Sequence, residues 1–184
     1  MGGRPVWRGG VTAASEVARR LGWKAGMSRV GAGKLAPDAV VLPTRGEVDG
    51  KYAERVREIA ARYAPLVVIA SIDEMFLDLS GCERLYAREG DQNGDVAIER
   101  AVLALTGAIA QELGLPASAG LATSKVMAKV ASNLAKPRGV MLVPAGVERA
   151  VLAPLPVRSF PGIGPVSEGQ QRRAGYETLG SIAG

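Results

Sequence analysis

Two short apolar runs, Leu66–Ala70 and Met75–Leu79, are separated only by Ser71-Ile72-Asp73-Glu74. Runs of this length predict strands, so two carboxylates fall at a strand junction. Adjacent side chains of a regular strand face opposite ways, and both acids reach one ion only at a bend or a strand end. The apolar flanks predict burial, and a buried carboxylate needs a cation or hydrogen-bond donors. The chain contains no histidine, which excludes serine–histidine triads, histidine-ligated zinc and histidine acid–base chemistry. A metal here would be held by carboxylates, which suits a hard ion such as magnesium. A salt-bridged pair at a turn is the other reading of Asp73-Glu74.

The rest of the chain narrows the class. Its 184 residues can bury a real core, and 47% hydrophobic with 22% charged residues is globular composition. No apolar run nears the roughly 20 residues needed to span a bilayer, and Met1–Gly10 has arginines with no apolar stretch after them, so no signal peptide is expected. A single cysteine, Cys82, rules out an internal disulfide framework and fits a reducing, cytoplasmic setting. The net charge of +5 is unevenly laid out. Residues 1–70 carry 12 basic and 6 acidic side chains, residues 71–114 carry 3 and 9, and residues 115–184 carry 8 and 3. Basic walls around an acidic centre suit a polyanion held over a carboxylate–metal site, although a solvated surface can cluster its charges too. Only eight residues are aromatic, which argues against a base-stacking platform.

Periodicity and punctuation give the order of elements. Residues 11–22 read as a short helix closed by Gly22, with turns at Gly26 and Gly31 and a short strand over Ala39–Leu42. Tyr52, Val56, Ile59, Ala60 and Tyr63 predict an amphipathic helix from Glu47 to Ala64, ended by Pro65. Residues 96–113, apolar nearly all round, predict a buried helix. Ser118–Ala122 reads as a strand, Thr123 as the cap of a helix to Ala135, and Val140–Val143 as another strand. The last forty residues look like a separate small helical unit. Two further features bear on chemistry. Lys125, Lys129, Lys136 and Arg138 have no acid among them, and Lys125 and Lys129 share a helix face near its N-terminus, a place for phosphate or an ordinary solvated face. Phe160-Pro161-Gly162-Ile163-Gly164 reads as the hairpin of a helix–hairpin–helix motif, which grips phosphate through backbone N–H groups, or as a plain structural turn.

Taken together, three stretches resemble the Y-family (translesion) DNA polymerases: Ser71-Ile72-Asp73-Glu74-Met75-Phe76-Leu77-Asp78; Ala119-Gly120-Leu121-Ala122-Thr123-Ser124-Lys125 through Asn133-Leu134-Ala135-Lys136-Pro137-Arg138-Gly139; and Pro161-Gly162-Ile163-Gly164. Weaker agreement runs from Val11 to Pro43. The resemblance implies an α+β, incomplete right-hand polymerase. Residues 1–43 would be helical fingers, 44–134 a palm with mixed sheet and helices, and 135–184 a small helical thumb with the helix–hairpin–helix. It implies that Asp73 and Glu74 are catalytic carboxylates holding two magnesium ions, and that Lys125 and Arg19 contact the triphosphate. Gly162, Ile163 and Gly164 would hold DNA by its backbone. The implied partners are primer–template DNA, deoxynucleoside triphosphates and a sliding clamp engaged through a missing C-terminal region, with no membrane.

The departures are specific. The family opens with an apolar strand carrying a first metal-binding aspartate and then an aromatic gate against ribonucleotides, whereas the first acid here is Glu16, already inside the fingers match. Arg4-Pro5-Val6 resembles the family's next strand. Glu16 stands where a tyrosine usually contacts the triphosphate, and no little-finger domain follows the hairpin. The expectation is a polymerase core truncated at both ends that polymerises poorly or not at all. Two other readings are a non-catalytic DNA-binding accessory relative, and a small-molecule kinase whose phosphate loop Pro116–Ser124 would resemble. The kinase reading leaves the 161–164 hairpin without a role.

Overall fold

A computed structural model describes residues 9–182, so Arg4-Pro5-Val6 lies outside the described residues. The chain divides into two compact units, residues 1–48 and 49–184.

In the first unit the expected helix over residues 11–22 is confined to α1 (Glu16–Arg20). The Val11 N–H is donated instead to the Met27 carbonyl at 2.8 Å, and Ser15 caps the helix by accepting from the Ala18 N–H. Gly22 and Gly26 adopt positive φ as turn residues, but Gly31 does not make a turn. It lies inside α2 (Arg29–Leu35), where its N–H is donated to the capping Ser28 hydroxyl. Val11, Trp23, Ala32 and Ala36 form the core of this unit. The expected strand at Ala39–Leu42 is absent. The Ala39 N–H turns back to the Ala36 carbonyl, and Val40 and Leu42 are exposed and pair with no strand among the described residues.

Helix α3 (Gly46–Ala60) begins just before the division and lies mostly in the second unit, and its last turn tightens when the Arg62 N–H is donated to the Ile59 carbonyl ahead of Pro65. Strands β1 (Leu66–Ser71) and β2 (Glu74–Asp78) pair antiparallel. A short α4 (Glu83–Tyr86) precedes α5 (Gly94–Leu113), which Asn93 caps at its start and left-handed Gly114 ends. Only one face of α5 is buried, through Ala97, Ile98, Ala101, Val102, Leu105 and Ile109, while Leu103 is 53% exposed. The buried face packs Leu105 and Ile109 on Ile59 and Ala60 of α3, with Val67 and Leu77 of the strand pair against them.

β3 (Ala119–Leu121) runs parallel to β4 (Val140–Leu142), and α6 (Lys125–Leu134) crosses between them. The cap of α6 is Ser124, which accepts from the Met127 N–H, because Thr123 donates its hydroxyl to Glu148 instead. Met127, Ala131 and Val143 seal α6 onto this pair. Among the described residues the strands make two two-stranded ladders, one antiparallel and one parallel, so both senses of the expected mixed sheet are present but in separate ladders. The chain ends in short helices, α7 (Glu148–Leu152), α8 (Pro165–Arg173) and α9 (Leu179–Ile182), around fully buried Val157. A Pro156–Thr178 bridge ties them together. The content is α+β, and among the described residues no helix is long and apolar enough to cross a membrane.

Candidate active site

The β1–β2 connection is only Ile72-Asp73, with Ser71 paired to Glu74 across the ladder. Neither linking residue has positive φ, so the turn is not one of the primed types whose twist matches a hairpin. A bulge between Ile69 and Ser71 takes up the difference. Both carboxylates therefore sit at a bend, the one arrangement in which adjacent acids can serve the same ligand. The expected burial does not hold. Asp73 is exposed in the turn, Glu74 is half-buried at the strand start, and no polar or charged side chain is buried among the described residues. A two-residue connection at the end of a two-stranded ladder projects into water whatever the polarity of its flanks. The Ser71 hydroxyl donates to Asp73 Oδ1 at 2.7 Å and holds that carboxylate in place.

Helix α6 supplies the opposite charge. Lys129 Nζ donates to Glu74 Oε2 in an ion pair that joins residues 55 apart in sequence. One turn earlier, Lys125 Nζ lies 5.6 Å from the centroid of the Phe76 ring, within cation–π range. The Asp78 carboxyl is held below the usual carboxylate range by the hydroxyl and N–H of Ser80, with a smaller contribution from the Lys125 charge. Glu74, Phe76 and Asp78 alternate along β2 and so share one face, and the two lysines of α6 address that face.

Of the predicted residues, the structure brings Asp73, Glu74 and Lys125 into the second unit around one strand. Arg19 is exposed in the last turn of α1 in the first unit. Glu16, in the first turn of α1, accepts a hydrogen bond from Arg20 at 2.6 Å. Gly162, Ile163 and Gly164 form a turn between a 3-10 turn at Val157–Ser159 and α8, with both glycines exposed and Ile163 half-buried. Gly162 has φ 93°, and Gly164 occupies the cap position of α8 ahead of Pro165. Lys129, expected beside Lys125 as a place for phosphate, pairs with Glu74 instead, and Phe76, signalled only by its two-residue spacing from Glu74, is a contributor without an expected role.

Among the described residues no group of three or more histidine, cysteine, aspartate or glutamate side chains is placed to hold a metal. The donor set is two carboxylates at one bend. That fits a magnesium-like ion, which takes one or two carboxylates and completes its shell with water or phosphate oxygens.

Residues 2–133 match the model of the impB/mucB/samB family. DNA polymerase IV of Dehalococcoides mccartyi is 38% identical over 184 residues, which is 100% of this chain and 45% of that protein. DNA polymerase IV of Streptomyces coelicolor is 39% identical over 176 residues, 96% of this chain and 35% of that protein. Among solved structures, DinB from Sulfolobus solfataricus aligns with a TM-score of 0.78 and 28% identity, over 90% of this chain and 46% of that one. An insertion ternary complex of Dbh DNA polymerase aligns with a TM-score of 0.80 and 27% identity, over 99% and 51%. The chain thus spans about half the length, or less, of the relatives it matches.

Proposed function

This chain belongs to the impB/mucB/samB family, the Y-family already legible in its motifs, and from that premise we propose that it is the fingers–palm–thumb portion of a translesion DNA polymerase. Its reaction is nucleotidyl transfer from a deoxynucleoside triphosphate to a primer paired with a template. The observation that carries the reading is the carboxylate pair at the β1–β2 bend, faced by the lysines of α6. The break between compact units at residues 48 and 49 supports a fingers–palm boundary close to residues 43 and 44.

Asp73 and Glu74 are the residues that would hold magnesium. When bound, divalent ions supply Lewis-acid stabilisation of the attacking and leaving oxygens. The Ser71 hydroxyl, by donating to Asp73 Oδ1, favours one orientation of that exposed carboxylate. Lys125, at the N-terminal end of α6, offers an ammonium beside free helix-end N–H groups, a setting that attracts the oxygens of a triphosphate. Arg19, in the fingers, offers a planar fork of the kind that suits a triphosphate. The turn at Gly162-Ile163-Gly164 presents backbone to the DNA phosphates, so its grip is independent of sequence.

The test uses the 184-residue chain with manganese, fluorescent primer–template and deoxynucleotide. Primer–template binds at low salt, and nucleotide is retained only with manganese. Asp73→Ala and Lys125→Ala each abolish nucleotide retention and leave DNA binding in place. DNA binding by the unaltered chain with no metal or nucleotide response, or nucleotide retention that both substitutions leave unchanged, overturns the polymerase reading in favour of a non-catalytic accessory protein.

A further inference from the structure

The ion pair at the carboxylate bend has a geometric basis that reaches beyond the individual contact. Four residues of helix rise about 6 Å, and two residues of strand rise about 6.6 Å. Lys125 and Lys129 on α6 therefore keep step with alternate residues of β2, and each ammonium finds its own partner. Lys125 lies over Phe76, and Lys129 closes on Glu74. The Lys129–Glu74 pair is not a loose surface contact, since the two side chains are only 35% and 32% exposed. Met127, Val130 and Ala131, around Lys129 on the same helix, are buried and fix its backbone.

We propose that Lys129 is a positioning residue that acts as the resident counter-cation of Glu74. It holds the carboxylate at the β1–β2 bend while no metal is present and gives up Oε2 when a divalent ion binds. The inference rests on reading Asp73 and Glu74 as the metal-holding pair. Its physical reason is repulsion, since an ammonium already on Glu74 Oε2 opposes a dication brought to the same carboxylate. A cation-to-cation distance short enough for both would bring like charges together in a partly desolvated place. The metal thus binds in competition with a built-in cation. Asp73 carries no such competitor, since its partner is the neutral Ser71 hydroxyl.

The experiment measures manganese affinity from the free-ion paramagnetic resonance signal of the 184-residue chain. It also measures amine labelling of the wild-type protein by acetic anhydride, read by mass spectrometry. Lys129→Met removes the competitor and binds manganese about three- to tenfold more tightly, the range expected for losing a half-exposed pair. Lys129→Arg keeps the charge and stays within about twofold of wild type. In the wild-type chain, saturating manganese raises acetylation of Lys129 several-fold, while labelling of exposed Lys51 is unchanged. Weaker or unaltered manganese binding by Lys129→Met, or Lys129 labelling indifferent to manganese, overturns the exchange. The labelling arm needs no variant and decides the matter even if Lys129→Met fails to fold. Manganese binding that survives Asp73→Ala instead places the ion elsewhere, and then the metal-site reading falls along with the exchange.

Discussion

Gly120→Ala adds one methyl group at the place where β3 meets α6, and the structure sets the cost. A Cβ at residue 120 would stand 2.8 Å from Ala131 Cβ and closer still to the Ala128 carbonyl oxygen and the Ser132 amide nitrogen. Two of those neighbours are α6 backbone, which no change of rotamer can move aside. Carbon–carbon contacts are comfortable at about 3.5–4.0 Å, so α6 must retreat by about 1 Å or more. That retreat opens the seam of Met127, Ala131 and Val143, now 5%, 0% and 1% exposed. Overpacking of this kind costs about 1–3 kcal/mol, and more where backbone must shift. At about 3 kcal/mol the melting temperature of a chain this size falls by about 6–12 °C. The same retreat carries Lys129 from Glu74 and Lys125 from Phe76, so manganese-dependent nucleotide retention drops with it. The control is the same substitution at Gly107, inside α5, where an added Cβ meets nothing within 4 Å. Gly107→Ala gains helix propensity and raises stability by about 0.5–1 kcal/mol. Thermal melts followed by far-ultraviolet circular dichroism compare the two. A Gly120→Ala protein melting within about 2 °C of wild type, with nucleotide retention intact, refutes the packing argument.

Three further outcomes are expected. Primer–template binding by the chain weakens steeply with salt and shows no sequence preference; an affinity that ignored salt between low and physiological concentration would contradict a backbone grip by the basic segments and the 162–164 turn. Asn93→Ala removes the side-chain acceptor for the Val96 N–H at the start of α5 and lowers stability by about 1 kcal/mol, which chemical denaturation would read as a lower midpoint with an unchanged slope. The Asp91 carboxyl is held below the usual carboxylate range, first by its hydrogen bond from the Arg100 guanidinium and then by the Arg88 N–H. Because its folded value is depressed, the stability it confers is complete above about pH 4 and is lost as pH falls through that lower value. Asp91→Asn should therefore flatten the acid limb of the melting temperature against pH, and an acid limb as steep as wild type would count against this pair.

The local readings that held are those whose partners lie within a turn or a strand. The strands around Asp73-Glu74, the face of α3 carrying Val56, Ile59 and Ala60, the end of α5 at residue 113 and the stop after α6 all follow from side chains a few residues apart. The readings that failed needed a partner that nearby sequence does not reveal. Ala39–Leu42 has the composition of a strand but joins no edge among the described residues, and the N–H of Val11 goes to Met27 instead of extending a helix. Thr123 looks as good a cap as Ser124 until Glu148 takes its hydroxyl.

Within the site the division is the same. The sequence by itself determined which acids stand at the bend and that two lysines one helical turn apart follow later, because covalent spacing and the 3.6- and 2-residue periods fix those relations. Only the tertiary structure decided that Asp73 stays exposed and that Lys129 meets Glu74 while Lys125 meets Phe76. Those pairings depend on where α6 settles over β3, and that height is set by the missing side chain at Gly120 and the apolar seam beneath, neither of which leaves a signal near residue 74.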